Sequence, residues 1–166
     1  MDATTLELVQ QLNQIFLDQG YGPLDIGGSV SNAQIEEIEA QLSITLPEDY
    51  KEFLRKFGSI RFGEEGVYGI LKKDPLSLES QTLLGETSHL RAESSMPHGL
   101  AVISGNYFTS YVCLNTDSPD NQKHGLVFYD SVQKAVFAYT HANTFSEFFE
   151  LFLKVNIDAY TKAAPN

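Results

Sequence analysis

Apolar positions fall into two helical stripes within residues 31–62. Ile35, Ile38 and Leu42 stand at i, i+3 and i+7, with Glu36, Glu37, Glu39 and Gln41 on the opposite side, which predicts an amphipathic helix. Ser31 precedes it and Gln34 follows three residues later, the spacing of a capping box in which two orphan amide donors are satisfied reciprocally. Tyr50, Phe53, Leu54 and Phe57 give the second stripe. Pro47 suits the first turn of that helix, Glu48 and Asp49 lie at its positive end, and Arg55, Lys56 and then Gly58 mark its close. Upstream, Leu6, Val9, Leu12 and Phe16 predict a helix over residues 4–19, with Thr4 and Glu7 at capping-box spacing. The Gly- and Pro-bearing segment 21–29 reads as its connector.

After Phe62 the pattern weakens and then changes period. Gly63-Glu64-Glu65-Gly66 is a turn signal, followed by a short apolar run at 67–71 suited to a strand. Residues 72–78 read as a loop and 79–93 as a weaker helix, with Gly85 in its interior at a cost of about 1 kcal/mol against Ala. Short runs rich in Val, Tyr and Phe at 100–104, 109–115, 126–130 and 135–139, separated by turn residues, predict an antiparallel sheet. Thr144 then caps a last helix, with Phe145, Phe148, Phe149 and Phe152 on one face. Burying each of these rings is worth roughly 2–3 kcal/mol, enough to pin the helix to the sheet. The order of elements is that of an α+β domain: an antiparallel or mixed sheet flanked by helices.

Composition narrows the picture. A chain of 166 residues is the size of one domain that buries a core without disulfides or metal, so residues 1–166 are expected to form a single unit. Acidic residues outnumber basic ones 22 to 11, a formal charge of −11. Such a chain repels phosphate backbones and anionic membranes, and a basic protein is the favoured partner; solubility alone is the alternative explanation of the charge. Cys113 is the only cysteine and lies in an apolar run, which suits a buried small hydrophobe better than a nucleophile. The first residues carry no basic, apolar leader pattern, so the expected location is cytoplasmic.

The run from Ile35 to Phe62, with Leu-Pro-Glu-Asp-Tyr-Lys-Glu-Phe-Leu at its centre, resembles the opening of the SUKH superfamily. These Smi/Knr-like proteins include bacterial immunity proteins of the YobK type and fungal cell-wall-assembly regulators. Val67-Tyr68-Gly69-Ile70 resembles the family's first strand, Glu86-Thr87 with Leu90-Arg91 its middle helix, and the run from Tyr111 to Thr116 its central strand. Phe145-Ser146-Glu147-Phe148-Phe149 resembles its closing helix. The likeness spans residues 32–153, with the helix at 4–19 before it. Two departures stand out: residues 104–108 replace an acidic Gly-rich turn, and the chain has no Trp. The resemblance implies a SUKH-like fold and an antitoxin that neutralises a cognate toxin, often a nuclease, by direct contact; a regulatory scaffold in cell-wall or signalling assembly is the alternative.

Candidate chemistry is sparse. His89, His98, His124 and His141 are scattered without a paired spacing, and the Asn115, Asp117, Asp120 run lacks the Gly and Glu a calcium loop needs, so neither metal nor cofactor is expected. With no nucleophile elbow, P-loop or dinucleotide fingerprint, an enzyme is not expected either. The expected contact residues are acids in turns at the sheet end, Glu64, Glu65, Asp117 and Asp120, with Tyr107 and Tyr111 as aromatic anchors. A solvated-surface or core role is the alternative for each of them.

Overall fold

Capping fixes where the organising helices begin. In the computed structural model, which describes residues 3–105, 109–117 and 125–163, helix α2 (Asn32–Leu42) starts after Ser31. The Ser31 Oγ accepts from the Gln34 N–H at 3.3 Å, and the Gln34 side chain accepts from the Ser31 N–H at 2.8 Å. Helix α3 (Glu48–Phe57) differs by one residue from the sequence expectation: Pro47 sits at the N-cap with extended backbone, just outside the first turn. Its far end is closed by Gly58 at φ 68°, whose N–H donates to the Leu54 carbonyl. A Cβ on Gly69 would lie 1.8 Å from the Gly58 carbonyl oxygen, so the chain crosses itself here at a distance only two glycines permit.

That crossing limits the next strands. β1 (Asp25–Ile26), β2 (Ile60–Phe62) and β3 (Glu65–Val67) make a three-stranded antiparallel sheet in sequence order. The strand expected at 67–71 therefore ends at Val67, because its partner β2 begins at Ile60, immediately beyond the crossing; Gly69 and Leu71 form only isolated bridges, to Thr82 and Asp74. Glu65 belongs to this strand rather than to the turn.

Helix α4 (Leu83–Ser94) starts four residues later than the apolar pattern suggests. The Thr82 Oγ1 accepts from the Gly85 N–H at 3.1 Å and donates to the Glu79 carbonyl at 2.7 Å, so residues 79–82 form the entry turn. Gly85 thus lies in the first turn, where a Cβ would sit 2.2 Å from the Glu79 oxygen. Its cost in helix propensity is set against a close approach no other residue allows.

The second sheet, β4 (Leu100–Gly105), β5 (Ser110–Asn115), β6 (Leu126–Asp130) and β7 (Ala135–Ala138), is an antiparallel meander in sequence order with a bulge between Val102 and Ser104. It meets the first sheet where the Tyr68 N–H donates to the Ile103 carbonyl and the Ser104 hydroxyl to the Gly66 carbonyl. Strand alternation sorts its side chains onto two faces. Ala101, Ile103, Val112, Leu114 and Leu126 join the larger cluster formed with α2, α3, α1 (Ala3–Asp18) and α5 (Phe145–Lys162). Leu100, Val102, Cys113, Val127 and Tyr129 face the other way, with Leu90 of α4. Thr144 caps α5 as expected, its hydroxyl accepting from the Glu147 N–H. α1 packs on the far end of α5, with the Phe16 and Tyr160 rings 4.6 Å apart. No helix among the described residues is long and apolar enough to cross a membrane.

Candidate functional site

The C-terminal end of α2 and the exit of β5 enclose an open cleft of about 530 Å³, lined by Glu36, Glu39, Ala40, Ser43, Thr116 and Asp117 among others. Helical spacing places Glu36 and Glu39 on one side of α2, three residues apart. Ser43 ends that helix in the left-handed region at φ 54° and turns the chain toward α3. Glu39 is half-buried and fixed: its carboxylate accepts from the Leu46 N–H and pairs with the Lys51 ammonium, both at 2.7 Å, so it holds the α2–α3 link in place. Glu36 and Asp117 are exposed and face the cleft.

A backbone clamp sets the opposite wall. The Thr116 N–H and hydroxyl both donate to the Gly99 carbonyl at 2.8 Å. The Asp117 carboxylate then rests on Gly99, where a Cβ would lie 1.9 Å from its Oδ2. Arg91 of α4 donates to the carbonyls of Leu42 and His98, tying α4 to the negative end of α2. Burial lowers the pKa of that guanidinium. The cleft thus presents two exposed carboxylates, Glu36 and Asp117, on walls held by Glu39 and Thr116, and can receive Lys or Arg side chains. Among the described residues no cluster of His, Cys, Asp and Glu has the arrangement to hold a metal ion.

The four described residues among those expected from sequence do not form one site. Glu64 is exposed at the β2–β3 turn, and Glu65, half-buried in β3, lies near Tyr160, whose pKa is raised by burial and secondarily by this carboxylate. Asp117 sits instead against α2. Tyr111 is half-buried on β5 and packs on the α4-side cluster, its hydroxyl pKa raised by burial and then by Glu86, so it is part of the fold more than a free anchor. Tyr107 and Asp120 lie outside the described residues. Sequence reasoning missed Glu36 and Glu39 as neighbours of Asp117. Their i, i+3 spacing was visible, but lining one cleft with Asp117 joins positions some eighty residues apart and leaves no local signal.

A family model, SUKH_6, described as SMI1-KNR4 cell-wall, matches residues 32–149. The chain is similar to the uncharacterized protein YnaB of Bacillus subtilis (strain 168), with 28% identity over 136 residues that cover 82% of this chain and 85% of that protein. It is also similar to a crystal structure of a protein from Pseudomonas syringae pv. tomato, at 20% identity and a TM-score of 0.51, covering 80% of this chain and 89% of the other; that likeness shows the fold alone.

Proposed function

We propose that this chain, which belongs to the SUKH (SMI1-KNR4) family, is a cytoplasmic immunity protein that binds a cognate toxin domain of nuclease type and does no chemistry itself. The observation that carries the reading is the acidic cleft, in which exposed Glu36 and Asp117 stand on elements tied by Glu39, Thr116 and Arg91. A nuclease holds phosphates with basic side chains, and an acidic concavity can cover those side chains in their place. The charge of −11 adds long-range attraction, since steering between opposite fields raises association by about 10–1000-fold.

The test is stopped-flow association, across a salt series, with any basic toxin domain found encoded beside this gene. Glu36→Lys with Asp117→Lys is compared with Glu64→Lys and Glu93→Lys, which change net charge equally at exposed positions elsewhere. The cleft pair should slow association at low salt by about 10-fold or more and the other pair far less, with the difference shrinking as the Debye length falls toward ~8 Å. Equal losses would leave only global charge at work. Absence of binding by any such domain would remove the immunity reading altogether.

A further inference from the structure

β7 closes one side of the four-stranded sheet and has no strand on its outer side among the described residues. Natural edge strands are kept from pairing by charge, proline, a bulge or a cover. Ala135-Val136-Phe137-Ala138 has neither charge nor proline, and its register with β6 is unbroken. Val136 and Phe137 are 46% and 47% exposed, with Val132 of the preceding turn at 72% and Val155 of α5 at 57%. On the α5 face, Tyr139, Phe148, Leu151, Phe152 and Val155 line an open groove of about 360 Å³. Phe137 shares that face, since it pairs with Phe128, whose ring meets Tyr139 at 4.8 Å.

Charge decides what can cover this surface. Residues 130–141 hold one acid, Asp130, and one base, Lys134. On α5, Glu150 and Asp158 are each paired with a lysine one turn on, Lys154 and Lys162, while Glu147 in the first turn accepts from the Asn143 N–H. In a chain of −11 this region is close to balance, with four acids against three lysines over residues 130–162. A basic partner gains no steering here, whereas two like-charged copies meet with least repulsion where their charge is balanced.

We propose that two copies of this chain associate through β7, antiparallel about a two-fold axis normal to the sheet, so that the two four-stranded sheets become continuous. Such an axis preserves the faces. Phe137 of each copy then lies beside odd-numbered β7 residues of the other and extends over the groove lined by Tyr139, Phe148 and Phe152, while Val136 meets its counterpart on the opposite face. The contact is isologous and closes at two copies. An ordinary stable interface takes about 800 Å² from each partner, about a tenth of this chain's 8706 Å². Four strand residues cannot supply that area, so the groove and Val155 are integral to the contact. This inference is independent of toxin binding.

Sedimentation of the full chain over a concentration series tests it. The wild type should approach twice 18.5 kDa. Val136→Lys and Phe137→Lys should each raise the dimer dissociation constant more than 10-fold with an unchanged far-UV spectrum, while Leu78→Lys, at a 71% exposed position in another part of the fold, should leave it unchanged. Should either strand variant fail to fold, Val155→Lys on the outer face of α5 decides. A wild type that stays monomeric, so that any cover of β7 is a different protein, overturns the proposal. So do folded variants that dimerise as tightly as the wild type.

Discussion

On the α5 face of the four-stranded sheet, rings touch rings: Phe53 lies 5.0 Å from Phe149 and 5.2 Å from Phe145, and Tyr50 stands edge-on to Phe145 at 4.8 Å. On the α4 face the contacts that stand out are polar. The Tyr129 hydroxyl donates to the Ser94 carbonyl at 2.7 Å, the Thr87 Oγ1 accepts from the Val102 N–H at 3.0 Å, and the Ser94 hydroxyl returns to the Leu90 carbonyl. One face gains stability from apolar area and tolerates changes by how well it can collapse. The other depends on paired groups, where losing one partner strands the second without water. The two kinds of packing should therefore fail to different mutations.

The largest expected effect is on the ring face. Phe53 is fully buried, and Phe53→Ala should destabilise by about 3–5 kcal/mol in denaturant melts; a loss under about 1 kcal/mol would mean the ring lattice carries little weight. On the α4 face, Thr87→Val keeps volume nearly constant but leaves the buried Val102 N–H without a partner. It should cost about 1–3 kcal/mol, and a neutral result would show that this face, too, is governed by area alone. The smallest effect concerns the bond that joins the two sides, from the Tyr50 hydroxyl to the Tyr68 carbonyl at 2.7 Å. Burial lifts the pKa of both phenols above the ordinary tyrosine range. Above pH ~10 the unfolded state loses phenolic protons that the folded state keeps, so stability is complete below that pH and falls as pH rises through it. The loss should be on the order of 1 kcal/mol between pH 10 and 11 for the fully buried Tyr50 and less for the less deeply buried Tyr68, and Tyr50→Phe should flatten the slope.

This contrast also explains what was legible in the sequence. Ring positions at i, i+3, i+4 and i+7 declare the buried faces of α3 and α5, and Ser31, Thr144 and Gly58 mark helix ends, because periodicity and capping are local. The strands at 100–105, 110–115, 126–130 and 135–138 were readable from their β-branched and aromatic content. β1 was not, because two exposed residues carry no period, and α4 was misplaced because Thr82 works through a turn rather than an apolar stripe. The acidic cleft was half legible: Asp117 was singled out, but its pairing with Glu36 depends on Thr116 folding back onto Gly99. Residues outside the family match were also informative in retrospect. α1 and the last turns of α5 pack on each other, joined by the Gln19 side chain to the Tyr160 carbonyl.

Cys113 sits at the middle of β5 with no exposed surface, and burial raises its thiol pKa. A thiol reagent can attack only a thiolate it can reach, so the folded molecule is silent to alkylation until β5 parts from its neighbours. With a single cysteine in the chain, one labelling site records one event. The protein thus carries its own stopwatch for the opening of the central strand, and the dependence of its rate on denaturant separates local breathing of the sheet from loss of the whole fold.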